Sequence, residues 1–172
     1  AAVKCYKNIY KTDCKNIENI KNYIKSLKES KQFDLELVLA KRLIKLQDKK
    51  SNYSLLSDAY SDSKQYAQAI KMYEKFLEGN EINGINHSMF GYLYFLLYGE
   101  THNPEHAEKS FEHYKKSVEF EPANRLRLKN LTSAASIAKH EDVEYDTWKK
   151  YFALGDTTEE EKFAFSMSSM RN

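Results

Sequence analysis

The sequence predicts an all-α fold of paired helices, and three observations carry that expectation. Only 5 Gly and 2 Pro occur in 172 residues, too few to punctuate the turns of a strand-rich fold. Apolar residues recur at helical spacing: Leu37, Ala40, Leu43 and Ile44 follow i, i+3, i+6, i+7, and Ile70, Tyr73, Phe76 and Leu77 repeat it. The chain also repeats itself. "SKQF" at Ser30 to Phe33 returns as "SKQY" at Ser63 to Tyr66, 33 residues later, and periods of roughly 20–50 residues mark repeated structural units.

Alignment of the two tetrapeptides places the flanks in register as well. Ile20, Tyr23 and Leu27 fall over Tyr53, Leu56 and Tyr60, again at helical spacing. Each repeat therefore reads as two helices joined at a short polar corner, Ser-Lys-Gln. The first spans residues 17–49 and the second 50–83. Residues 1–16 show no clear period and form an N-terminal segment.

The stretch "YSLLSDAYSDSKQYAQAIKMYEKFLEGN", Tyr53 to Asn80, resembles a tetratricopeptide repeat. Tyr53, Leu56, Ser57 and Tyr60 match that family's first helix, and Tyr66, Ala69 and Tyr73 its second. Phe76 stands where a small residue is usual, as do Glu36 and Glu144 in the outer repeats. Residues 84–124 continue the resemblance, with Gly91 and Tyr94 in "FGYLY" and with Ser110, Tyr114, Ser117 and Pro122 in "SFEHYKKSVEFEP". About seven extra residues around "GETHNPEH" suggest a long loop between the helices, as in the Sel1-like variant. Residues 125–156 fit more loosely, through Leu128, Leu131 and Ala135 and then Trp148, Tyr151 and Phe152.

Helix starts are written at Asn103-Pro104-Glu105 and at Asp156-Thr157-Thr158 before three Glu residues. The second opens a helix over residues 157–172 with Phe163, Met167 and Met170 on one face, the natural cap for the end of an array. The resemblance implies one domain over 1–172: a right-handed superhelix of antiparallel helix pairs, an α-solenoid of about four repeats plus a C-terminal capping helix.

The net charge of +2 hides an asymmetry. Residues 1–50 carry 13 Lys/Arg against 6 Asp/Glu, a net of +7, and residues 51–172 carry 14 against 19, a net of −5. A basic end suits an acidic partner or simply a solvated helix face. With 23 Lys and 4 Arg, the chain lacks the guanidinium forks that favour phosphates and base edges, so nucleic acid is not an expected partner. The most apolar run, "MFGYLYFLLY" at Met89 to Tyr98, has ten residues, short of the ~20 that span a bilayer core. That helix is either packed on all sides or presents an apolar patch to a partner.

Cys5 and Cys14, the only cysteines, form a disulfide in an oxidising compartment or remain free thiols. The start at Ala1-Ala2 without Met suits signal-peptide removal and tag removal alike. A soluble, exported or periplasmic chain is the expectation these features favour. His102, His106 and His113 cluster near Glu105, and a metal-dependent enzyme or accessory subunit built on them is the rival reading. Yet no strict ligand motif, Gly-rich phosphate loop, activated Ser or Cys-His arrangement is visible. No catalytic residue, metal or cofactor is expected, and helical repeats of this kind are usually binding surfaces.

The resemblance implies that the first helix of each repeat lines a concave groove. It assigns to that surface Lys21, Asn22, Lys25 and Lys28, then Ser54, Leu55, Asp58 and Ser61. The third repeat adds Met89, Tyr92, Phe95 and Leu96, and the fourth Leu126, Lys129, Asn130 and Ser133. The residue set with which some family members grip a C-terminal carboxylate is broken here by Asp58 and Met89. The expected function is a scaffold or adaptor that binds a peptide or helix of a partner protein, with acidic residues of the partner against the first repeat and apolar ones against the third. An assembly factor of a bacterial envelope or secretion complex is the alternative within binding.

Overall fold

The structure is a computed structural model that describes residues 2–155 and 157–171, apart from the side chains of Ala2, Cys5, Ile9 and Arg171. The described residues form ten α-helices and no strand. The chain divides into two compact halves, Ala1–Asn80 and Glu81–Asn172. The N-terminal half holds α1 (Ala2–Thr12), α2 (Ile17–Glu29), α3 (Phe33–Leu46), α4 (Lys50–Asp62) and α5 (Tyr66–Leu77). The C-terminal half holds α6 (Gly84–Thr101), α7 (Pro104–Phe120), α8 (Arg125–Ala138), α9 (Glu141–Phe152) and α10 (Glu159–Arg171).

Four hairpins result, α2/α3, α4/α5, α6/α7 and α8/α9, each packing its two helices together. Every hairpin turns through one non-glycine residue in the left-handed region: Lys31 (φ 57°), Lys64 (φ 58°), His102 (φ 52°) and Lys139 (φ 62°). Helix ends commonly close this way because the next amides then reach back to the last free carbonyls. Gln32 N donates to Leu27 O at 2.9 Å and Gln65 N to Tyr60 O at 2.8 Å. The doubled Ser-Lys-Gln is therefore one corner geometry used twice.

In the N-terminal half, Ile20, Leu27, Ala40 and Leu43 are fully buried, joined by Tyr23, Leu37 and Leu56. Helix α1 lays Val3, Tyr6 and Tyr10 on this core, and Tyr10 packs on Tyr23 with ring centroids 5.9 Å apart. Three aromatic and β-branched residues at i, i+3, i+7 carried that signal, diluted by the lysines between them. The pairing of Cys5 with Cys14 falls on a side chain outside the described residues; Cys14 is half-buried after α1.

The long loop expected around Gly99 to His106 is helix instead. Only His102 and Asn103 separate α6 from α7, and the extra residues lengthen both helices, to 18 and 17 residues. Asn103 caps α7 by accepting from Glu105 N at 3.1 Å, with Pro104 opening the helix. The two long helices close tightly. Ser110 Oγ donates to Gly91 O at 2.8 Å and Ser117 Oγ to Gly84 O at 2.9 Å. A Cβ at Gly91 would stand 2.8 Å from Cγ of Tyr114.

Helix α10 caps the C-terminal half by a face other than the expected one. Phe165 stacks on Tyr145 at 5.5 Å and contacts Phe152 at 5.0 Å, while Phe163, Met167 and Met170 are exposed. The buried Glu161 decides the rotation, because a buried carboxylate must be paired. It accepts from Tyr151 Oη at 2.7 Å, Lys129 Nζ at 2.8 Å and Thr158 N at 3.0 Å. Thr158 returns the bond by accepting from Glu161 N at 3.2 Å, so it caps α10; the expected cap residue Asp156 lies outside the described residues.

Two substitutions test this construction by thermal melting. Gly91→Ala overfills the α6/α7 contact and is expected to cost about 1–3 kcal/mol, lowering Tm. Lys64→Gly relieves the left-handed corner, a conformation that costs L-residues about 1–2 kcal/mol, and is expected to raise Tm. An unchanged Tm in Gly91→Ala, or a lowered one in Lys64→Gly, would contradict the respective contact.

Candidate functional site: a groove between α6 and α8

Helix α6 is apolar nearly all round, and its two sides do different things. Phe90, Leu93 and Leu97 are buried, Phe90 against His113 of α7. Tyr92 points away at 48 % exposure, with Phe95 and Leu96 half-buried beside it. Helix α8 lies alongside through Asn130 and Ser133. Tyr92, Phe95, Leu96, Tyr114, Asn130 and Ser133 together line a hollow of about 240 Å³.

A second hollow of about 370 Å³ adjoins it, lined by Ile85, Ser88, Leu126, Arg127 and the same Asn130. Ile85 and Leu126 are both 68 % exposed, high for large aliphatic side chains. The floor polar groups are satisfied. Arg127 donates to Ser117 O at 2.8 Å and to Glu121 Oε1 at 2.9 Å. The Asn130 side chain makes no hydrogen bond to another described residue, which leaves its amide open where the hollows meet.

Of the residues expected to face a partner, Tyr92, Phe95 and Asn130 come together here. Phe95 is shared with the core, for it packs against the cluster of Phe111, Tyr114, Leu131, Ala134 and Ala135. Met89 is half-buried on α6 and lines neither hollow. Lys129 is engaged elsewhere. Its bond to Glu161 ties α8 to α10 and raises the ammonium above its ordinary value, while Glu161 is pulled down to about 2. Leu126, Ile85 and Ser88 complete the surface. Of these, Ile85 and Ser88 are visible in the sequence only once α6 is known to begin as early as Gly84.

Lys21, Lys25 and Asp58 lie in the other half, on α2 and α4. Lys21 is half-buried and Lys25 exposed. Asp58 Oδ2 receives Lys28 Nζ at 3.4 Å, and Lys28 also reaches Asp62 at 3.0 Å. Lys28 is thus paired with two carboxylates of α4.

The three histidines do not converge. His102 forms the left-handed corner with its ring edge-on to Tyr98, His106 Nδ1 meets Thr101 Oγ1 at 2.8 Å, and His113 turns to α6. Among the described residues no three His, Cys, Asp or Glu side chains are placed to hold a metal ion. The partner of His113 is His87, Nδ1 to Nδ1 at 3.0 Å, and His113 stacks on Phe90 and Tyr94. Burial, the facing His87 and the ammoniums of Lys116 and Lys109 push His113 down to about 4.

No protein-family model matches the sequence, and no curated protein matches it. Solved structures do match its fold. A MamA fragment from Desulfovibrio magneticus RS-1 superimposes with a TM-score of 0.73 at 14 % identity over 88 % of this chain and 82 % of that one. The chain has the tetratricopeptide-repeat fold. YrrB, described as a tetratricopeptide protein with an unusual peptide-binding site, gives 0.71 at 13 % identity over 99 % of this tetratricopeptide-like chain and 84 % of its own. The thermophilic tetratricopeptide protein TTC0263 of Thermus thermophilus gives 0.63 at 13 % identity over 98 % and 89 %. Among the described residues no helix is long and apolar enough to cross a membrane.

The His113 environment has a pH consequence. Its folded pKa lies below the ordinary value of about 6.5, so the unfolded chain binds more protons between about pH 6.5 and 4. This residue's contribution to stability is thus lost as pH falls through that window. His113→Phe keeps a ring between Phe90 and Tyr94 and is expected to flatten the acid side of a plot of urea midpoint against pH. An equal slope in variant and wild type would show that His113 is not held neutral.

Proposed function

We propose that the chain is a protein-interaction scaffold that takes a segment of a partner protein between α6 and α8. The observation that carries this reading is the set of exposed apolar side chains, Ile85, Tyr92 and Leu126, around the open amide of Asn130. Such a patch costs solubility unless it is covered, and patches of this kind mark partner surfaces. The hollows suit two apolar side chains of the partner, and the Asn130 amide suits a backbone N–H or C=O between them. YrrB, a structural neighbour with a peptide-binding site, supports the same reading by its fold alone.

The test uses partner protein captured from native extract and then titrated in purified form. Tyr92→Ala is expected to weaken binding by about 30-fold or more, as aromatic anchors at interfaces commonly carry ~2 kcal/mol, while leaving Tm nearly unchanged. Leu93→Ala, on the buried side of the same helix, is expected to cost ~2–5 kcal/mol of stability. Glu112→Ala, on the exposed side of α7, is expected to alter neither. If Tyr92→Ala binds like wild type, the groove is not the docking surface.

A further inference from the structure

The N-terminal half buries a charge-bearing group that its fold does not explain. Glu36, on α3, is 1 % exposed, and neither carboxyl oxygen has a hydrogen-bond partner. Buried carboxyl oxygens are normally paired, because an unpaired one forfeits its hydration without return. The tetratricopeptide pattern wants a small residue at this position, and the equivalent Ala69 in the next hairpin accepts a hydrogen bond from Ser57 Oγ at 2.8 Å with its backbone carbonyl.

The groups that act on Glu36 come from both helices packed on α3. Helix α2 contributes Lys28, and α4 contributes Asp58 and Asp62. Lys28 binds Asp62 at 3.0 Å and Asp58 at 3.4 Å but neither oxygen of Glu36. Its side chain is 46 % exposed and that of Asp58 45 %, so the outer part of the cluster is open to solvent. Asp62 also lines a cleft of about 460 Å³ with Phe33, Asp34 and Leu35, and the ammonium-bearing Lys31 and Lys64 line the same cleft. Three carboxyls thus gather around the Lys28 ammonium, and one of them, Glu36, is buried beside the other two with no hydrogen-bond partner.

We propose that this cluster is a receptor for a cationic side chain of the partner, a lysine ammonium or arginine guanidinium, which enters at Asp58 and Asp62 over the Glu36 carboxyl. Lys28 is the internal stand-in. It shows that the rim holds an ammonium, and it reaches too few oxygens to satisfy the site. An incoming cation displaces it towards solvent or sits beside it, and supplies the charge that lets Glu36 ionise. Burial and Asp62, partly offset by Lys28, raise the Glu36 carboxyl to about 7, so part of the population carries its proton near neutral pH and an arriving cation favours its release. This proposal rests on the scaffold reading, and it replaces the acidic partner expected from the basic N-terminal residues with a basic one.

The test is calorimetric titration of the whole chain with octalysine, and separately with octaglutamate, at low salt. At pH 8 octalysine is expected to bind and octaglutamate not. Asp58→Asn and Glu36→Gln are each expected to weaken octalysine binding at least tenfold, and Lys28→Ala, which removes the competitor, to strengthen it. Glu112→Gln, in the other half, is expected to leave it unchanged. Wild type is expected to bind more tightly at pH 8 than at pH 6, and Glu36→Gln to lose that difference. Equal affinity in wild type, Asp58→Asn and Glu36→Gln, or weaker binding in Lys28→Ala, overturns the proposal. A chain that holds its partner through Tyr92 yet ignores octalysine also overturns it, while leaving the groove reading intact.

Discussion

Two helices can approach only as far as the bulkiest residues between them allow. In the α6/α7 hairpin that limit is set by Gly91, whose missing side chain leaves room for the Tyr114 ring, and by Ser110 and Ser117, whose hydroxyls bond to carbonyls on the facing helix. The same device recurs in the α4/α5 hairpin, where Ser57 bonds to Ala69 O. A hydroxyl buried against a carbonyl is satisfied, small and directional, so it fixes both the distance and the rotation of the pair. Rotation is what matters for binding. With Leu93 and Leu97 locked inward, Tyr92 has no route to the core, and α8 then lies close enough to build a groove beside it.

The charged exceptions to this rule are informative for the same reason. Glu161 is buried but answered by three donors, and it sets the orientation of α10. Glu36 is buried and neither of its carboxyl oxygens has a hydrogen-bond partner. A group that costs stability and makes no internal bond is better explained by something it meets from outside than by folding. The apolar groove and the acidic cluster belong to separate halves of the chain, and the proposals made for them call for different partner chemistry, an apolar segment and a basic side chain.

Much of the fold was legible in the residues because the repeat fixes it twice. The 33-residue return of Ser-Lys-Gln located two corners, and the apolar spacing located the helices on each side. The longer third hairpin misled because Gly99 looks like a loop residue, whereas it sits exposed inside a helix; the helix start at Asn103-Pro104-Glu105 stands where the sequence wrote it. Helix α10 misled because its apolar periodicity is real but points outward; the decisive contact is a carboxylate, which periodicity ignores. The groove was half visible. Tyr92, Phe95 and Asn130 follow from the repeat register, but the loss of Lys129 from the groove depends on where Glu161 falls. The Glu36 cluster was invisible as a site, since its members are drawn from three helices and only the odd residue at a small position hinted at it.

The claim on which the functional account turns is that the partner lies across the exposed side of α6 and α8. Photo-crosslinking in native extract tests it directly, with benzoyl-phenylalanine placed at position 126 in one preparation and at position 112 in another. Leu126 borders the groove, and Glu112 is on the exposed side of α7. The account predicts a discrete crosslinked species from position 126 that disappears when Tyr92→Ala is added, and none from position 112. Crosslinking from position 112 alone, or from position 126 regardless of Tyr92, would contradict it.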